Sequence, residues 1–274
     1  MAEPLGVATL SELRDRLELM LSINTGDGYI DSDSQRTDIN EAYQMTAYTY
    51  DWPSLLTRVG IVKVANLDRY SLPSDFRKAR TVRLDDVLVK ETELEFMKRT
   101  RNSYAVDKQQ NDIIFYTIPS TASTAYTLSN AETAGNAVTI ELDTVSGLSQ
   151  HDEIWIDSAS GTDEFTMVSS VGTLSIVARL DSNKSASDII YRQNNIIDLL
   201  YYRRITLLSA TGDTTLLPGA IDYIMLHAAA AIAFERMEMF DEAKRHWDIW
   251  KERLADAWRA SDVSSTGEVA NFSL

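Results

Sequence analysis

A chain of 274 residues, 44% hydrophobic and 24% charged, has material for one large domain or two smaller ones. It contains no cysteine, which excludes disulfides, thiolate metal sites and cysteine nucleophiles, and its three histidines, His151, His227 and His246, do not form a zincin pattern. The net charge of −15 falls unevenly: Ser120 to Asp188 holds ten acidic and two basic residues, whereas Arg69 to Lys108 holds ten basic and seven acidic, so global grip on duplex DNA, with one charge per about 1.7 Å of axis, is not expected.

The first residues, Met1-Ala2-Glu3-Pro4, carry no basic cluster before an apolar run, so no signal peptide is expected. No run approaches the roughly 18 apolar residues that span a bilayer. Synthesis in a cytoplasm and no membrane partner are therefore expected. Thr9 and Glu12 have capping-box spacing and open a predicted helix to about Ile23, with Leu10, Leu13, Leu17, Met20 and Leu21 on one stripe. A polar loop follows over 24–33. Its Asp27, Asp31 and Asp33 suggest calcium, but counting from Asp31 puts Arg36 where an EF-hand requires glycine and Ala42 where it requires glutamate. A second helix is predicted from near Thr37, with Ile39, Ala42, Tyr43, Thr46, Ala47 and Tyr50 on one face, ending at Pro53 behind Trp52.

Two strands are predicted over 58–72, a turn at Leu72-Pro73-Ser74-Asp75, and further strand from Arg77 to Val89. Glu91 to Arg99 reads as a short helix or turn. Ile113 to Tyr116 and Asn195 to Ile205 read as strands. Between them the acidic stretch has another texture, rich in Ser, Thr and Ala. Val138–Leu142 and Asp152–Asp157 alternate, Phe165–Val168 and Leu174–Ala178 follow, and Gly147, Gly161 and Gly172 mark turns. This pattern predicts a small barrel or sandwich inserted into a surface loop, a tolerated event because loop closure costs little.

Ala220 to Met237 is apolar almost all round, which predicts a buried helix about 27 Å long. Asp241 is a predicted cap for the last helix, where Phe240, Ala243, Trp247, Trp250, Leu254 and Ala257 recur at alternating intervals of three and four. Trp258 adds a third indole. Indoles so concentrated suit either the first two helices of the same chain or a subunit contact, where tryptophan is enriched.

No phosphate-binding glycine loop and no Gly-x-Ser-x-Gly elbow is present, and Asp157-Ser158-Ala159-Ser160-Gly161 has no histidine at a suggestive spacing. Neither an enzyme nor a cofactor is expected. Arg203 and Arg204 are suited to phosphate or carboxylate, but as strand neighbours they point to opposite faces, so one ligand meets one of them. The fold class expected is α+β, with an antiparallel helical core from both chain ends, strands between them, and an inserted small all-β domain.

The order of these motifs resembles the head-to-tail adaptor (connector) proteins of tailed bacteriophages. The resemblance rests on Leu13 and Leu17; Asn40, Ala42 and Tyr43; Asp51-Trp52; and Tyr70, Leu72, Pro73, Asp75 and Phe76. It continues in Tyr201-Tyr202-Arg203 and Leu217-Pro218, so that it covers roughly residues 8–118 and 190–260. It implies a structural virion protein of the head-tail neck. Such a protein forms a ring with copies of itself, usually dodecameric, beneath the portal protein. It extends the DNA channel, offers a surface to the tail or tail-nozzle protein, and touches genomic double-stranded DNA transiently. On that reading residues 1–57 and 207–262 make the helical core and 58–118 with 189–206 its β region. Residues 119–188 form the insert, and 263–274 an arm ordered against the portal. Trp247, Trp250, Trp258 and Phe272 are then candidate subunit or portal contacts. Arg77, Lys78, Arg80, Arg203 and Arg204 are candidate DNA-channel or ion-pair residues. The competing reading is a surface or carbohydrate-binding module acting through the insert, around Trp155 and Phe165.

Overall fold

The computed structural model describes residues 7–21, 31–94, 102–119, 121–159 and 162–267, with side chains described to residue 261. The chain divides into two compact units. One is built from the two chain ends, up to Leu56 and from Tyr202 onward; the other is Thr57–Tyr201.

Among its described residues the first unit holds four α-helices: α1 (Leu10–Leu21), α2 (Ser32–Thr49), α3 (Gly219–Arg236) and α4 (Phe240–Gly267). The capping box at α1 forms, with Thr9 N donating to Glu12 Oε2 (2.8 Å) and Glu12 N to Thr9 Oγ1 (3.3 Å). Helix α2 starts five residues before the predicted Thr37, because Asp31 caps it: its Oδ1 accepts from Asp33 N (3.0 Å) and Ser34 N (2.7 Å). The cap sustains a polar first turn that an apolar stripe does not reveal. Helix α3 is the core element. Ala228 to Ala231 are wholly buried, and α1, α2 and α4 all pack against it. The α3–α4 turn is closed by Glu238 at φ 60°, with Met239 N donating to Phe234 O (2.9 Å), a left-handed termination made without glycine. The predicted seam of α4 buries Ala243, Trp250 and Leu254, while Phe240 is exposed and Asp241 lies in the first turn rather than at the cap.

Asp38 sits buried on α2 beside the Arg236 guanidinium (2.8 Å). Burial pushes its carboxyl up to about 6, against the pull of Arg236. A raised carboxyl pKa weakens the fold at neutral pH, and the penalty disappears as pH falls through the folded value toward 3.8. Between pH 7 and pH 4 the wild-type chain should therefore gain roughly 2 kcal/mol on an Asp38→Asn variant. Paired urea titrations across that range, followed by helical circular dichroism, check this; a constant difference rejects it.

The second unit is built mainly of strands. Thirteen strands occur among the described residues: β1 (Leu56–Ile61), β2 (Arg69–Ser71), β3 (Phe76–Leu84), β4 (Val87–Glu91), β5 (Ser103–Asp107), β6 (Asp112–Phe115), β7 (Ala125–Thr127), β8 (Gly135–Glu141), β9 (Glu153–Asp157), β10 (Glu164–Val171), β11 (Ser175–Leu180), β12 (Ile189–Arg192) and β13 (Ile197–Arg203). They form two curled sheets, ordered β1-β13-β3-β4-β5-β6-β2 and β7-β12-β9-β10-β11-β8. The β3–β4 hairpin turns on Asp85 and Asp86, both at positive φ (53° and 62°), the backbone a two-residue hairpin loop requires. Strands β4 and β5 run parallel.

This corrects the expected fold class. The chain is not a helical core carrying a small β insert; it is a mixed, β-rich protein with a seven-stranded sheet, a six-stranded sheet and four α-helices among the described residues. Two features explain the difference. Strands β5, β7 and β12 are too short to show a periodic pattern in sequence. In addition, β12 pairs with β7 and β9 in the six-stranded sheet, then passes through a single 3-10 turn (Gln193–Asn195) into β13 of the other. The acidic stretch is thus continuous with its surroundings. Trp155, Tyr191 and Ile196, all buried, pack with Val62 and Phe165 in one cluster, in which β9, β10 and β12 of the six-stranded sheet meet the residues that follow β1 and precede β13.

Candidate functional site

Several of the motif residues fasten segments that are far apart in the chain. In the helical unit, Asn40 of α2 brackets a peptide group 168 positions away: its Nδ2 donates to Leu208 O (2.9 Å) and its Oδ1 accepts from Leu208 N (2.8 Å). One turn on, Tyr43 is wholly buried and its hydroxyl accepts from Leu216 N (2.8 Å). Leu217, buried, and Pro218 then lead into α3. Trp52 is buried after α2, its Nε1 donating to Thr46 O (2.9 Å). In the β unit, the Tyr201 hydroxyl donates to Asp75 Oδ1 (2.7 Å), and the Phe76 and Tyr201 rings lie 5.6 Å apart. The Tyr70 hydroxyl binds the loop before its own strand at Leu67 O (3.0 Å). Each of these groups ties early chain to late chain or closes a loop. They are fastenings, and Tyr43, Trp52, Tyr70, Phe76, Tyr201 and Leu217 are buried.

The three indoles of α4 are partly covered by their own chain. Trp250 is buried and donates to Thr46 Oγ1 (3.1 Å). Trp258, half-buried, stacks on Tyr50 at 5.1 Å and stands edge-on to Trp52 at 5.7 Å. Trp247, half-buried, donates to Glu235 Oε1 (2.7 Å). Trp247 and Trp258 therefore keep part of their surface exposed. Phe272, residues 268–274 of the predicted arm over 263–274, and most of the predicted loop over 24–33 lie outside the described residues.

Of the basic candidates, Arg77, Lys78 and Arg80 lie on β3, where Lys78 and Arg80 are exposed two residues apart on one strand face. Arg203 ends β13 half-buried and Arg204 follows it exposed; both belong to the helical unit, so the five candidates are divided between the two units.

Trp155 is only 4% exposed. It stacks between Tyr191 (5.5 Å) and Phe165 (6.4 Å), and the Arg58 guanidinium lies 3.9 Å over the Phe165 ring. A sugar-stacking platform needs an open ring face, which this indole lacks. Arg58 also grips two carboxylates: Nε and Nη2 donate to Asp198 (2.8 and 2.9 Å), and Nη1 and Nη2 donate to Glu153. A polar cleft of about 290 Å³ opens beside them, lined also by Thr81 and Arg83. The sharing of one guanidinium leaves neither carboxylate free to act as a general base. Sequence reasoning missed this clamp, since Arg58, Glu153 and Asp198 sit in three unrelated strand patterns.

Ser158 is buried and its hydroxyl donates to Asp188 Oδ2 (2.8 Å), a structural contact. Among the described residues no three His, Asp or Glu side chains converge to hold a metal ion, and no helix is long and apolar enough to cross a membrane. No family model matches the chain, and no curated protein matches its sequence.

Proposed function

We propose that this chain is a structural virion protein, a head-to-tail adaptor of a tailed bacteriophage. On this reading it works by lending surface to copies of itself and to the portal protein, extends the DNA channel at the neck, and receives the tail or tail-nozzle protein. The observation that carries the reading is that motif residues fasten distant segments of the chain: Asn40 and Tyr43 hold the segment before α3, and Asp75 and Phe76 meet Tyr201. A motif set spent on holding distant chain segments together suits a protein whose product is a shape. Three further points agree with it. The indoles of α4 keep half-exposed surface at Trp247 and Trp258. Exposed Lys78 and Arg80 offer light, local contact to a phosphate backbone, while the net charge of −15 prevents a tight hold on DNA that must pass. A ring is closed by heterologous contacts, which need two different surfaces on each subunit.

The test is to mix the purified chain with assembled portal of the same virus and weigh the products by native mass spectrometry. Portal carrying a full ring of this chain is the expected product. Portal that stays bare at micromolar concentration, with the chain monomeric, overturns the proposal.

A further inference from the structure

We propose that His227 and His246 form a pH-sensitive latch between α3 and α4, closed at neutral pH and released in mild acid. It goes beyond the assembly role and does not depend on it.

The two Nδ1 atoms lie 3.1 Å apart, one on each helix. At that distance one nitrogen donates and the other accepts, so the bond holds one proton between two rings. His227 is 6% exposed, and its Nε2 is buried with no hydrogen-bond partner. A bare lone pair is the less costly occupant there, since a buried N–H without an acceptor carries a larger penalty. The tautomers follow: His227 donates from Nδ1, and His246 accepts at Nδ1 and carries its proton on Nε2.

A second proton has no good place. On His246 Nδ1 it would face the His227 N–H. On His227 Nε2 it would be a buried cation without an acceptor.

The surroundings add to this. The charges that oppose protonation of His227 are all cationic: Arg253, Arg245 and, once it is itself protonated, His246, every one on α4. Tyr223 of α3 stands edge-on to His227 (5.3 Å) and carries Arg253 over its ring (5.7 Å). Phe234 of α3 covers His246 (5.4 Å). Glu242 of α4 is, among the described residues, the carboxylate acting on the pair, and it acts on His246. Among the described residues, α1 and α2, which also pack on α3, contribute none of these charges.

Burial first, and the neighbouring cations second, push His227 down to about 4 and lower His246 as well. A depressed histidine pKa gives stability that is complete above 6.5 and is lost as pH falls toward the folded value. The folding equilibrium of the helical unit should drop on the order of a hundredfold from this pair across that window.

The experiment uses the full chain. Trp247 and Trp250 on α4 report the seam by fluorescence, and imidazole resonances report each histidine by NMR. The expected result is a red shift of indole emission between pH 6 and pH 4, with one histidine neutral throughout most of that range and protonated on its δ nitrogen. A His227→Phe/His246→Phe double variant, which keeps both rings but removes both titrating groups, should lose the red shift. Should that variant fail to fold, the wild-type titration still decides. Both imidazoles titrating near 6.5 with unchanged emission overturns the latch. So does a rise in Tm on adding Zn²⁺ at pH 7, which would assign the pair to a metal.

Discussion

A Gly60→Val variant should lose about 3 kcal/mol of stability in the β unit, at the upper end for overpacking a core. Gly60 is buried in β1 in an ordinary backbone conformation, so its role is spatial. A Cβ placed there would overlap the Trp155 ring, and Ile196 Cδ1 would stand 2.8 Å away. Trp155 has no room to withdraw, being held between Phe165 and Tyr191. Even alanine should cost about 1–2 kcal/mol. The partner substitution Trp155→Leu makes space, so the double variant Gly60→Ala/Trp155→Leu should be more stable than the sum of the singles implies. Urea unfolding of the four proteins measures the coupling. Strict additivity, or an unchanged midpoint for Gly60→Val, would show that the close approach does not govern this strand.

The second large effect is expected at Arg58. Its side chain is 28% exposed and that of Asp198 only 7%, so Arg58→Met strands a buried carboxylate. Breaking such a pair should cost about 3 kcal/mol, the low end for a buried ion pair because Glu153 is 37% exposed and regains water. Gln193 Nε2, donating to Asp198 at 3.1 Å, softens the loss slightly. Arg58→Lys keeps the charge but lacks the planar fork that serves both carboxylates, so it should recover roughly half of the deficit. Equal stability of the Met and wild-type chains at pH 7 would mean that the clamp contributes geometry without energy. The two variants together probe the same region, since Arg58 lies over Phe165 and Gly60 approaches Trp155.

Acid works on the helical unit in two directions. Asp38 is penalised at neutral pH and relieved on acidification, whereas the His227–His246 pair is favourable at neutral pH and lost over the same interval. Both groups lie in helices that pack on or belong to α3. Separate variants are needed because the wild-type curve sums opposing slopes.

Local order was readable wherever a period or a cap dominated. The apolar α3 was legible to within a residue at each end, because almost every position in it is buried. The alternation of β8 to β11 was legible for the same reason: one face of each strand enters a core. The start of α2 was not, since a polar first turn held by Asp31 has no apolar signature. The fold class also went astray, through strands of three to five residues (β5, β7, β12) that reach stability only through their neighbours. Of the candidate residues, Trp250 was visible as a seam position, but its donation to Thr46 was not. His227 stands out as a polar residue in an apolar helix; its partner on α4 does not.

Composition and periodicity by themselves determined four helices at the chain ends, strands between them, and a chain without thiol chemistry, because those properties depend on neighbours a few residues apart. Tertiary structure alone decided that the acidic stretch shares a unit with the strands around it, that Arg58 joins Glu153 and Asp198, and that two histidines 19 positions apart touch. Each of those facts depends on which side chains from distant segments share a small volume, and no local pattern of the chain encodes that.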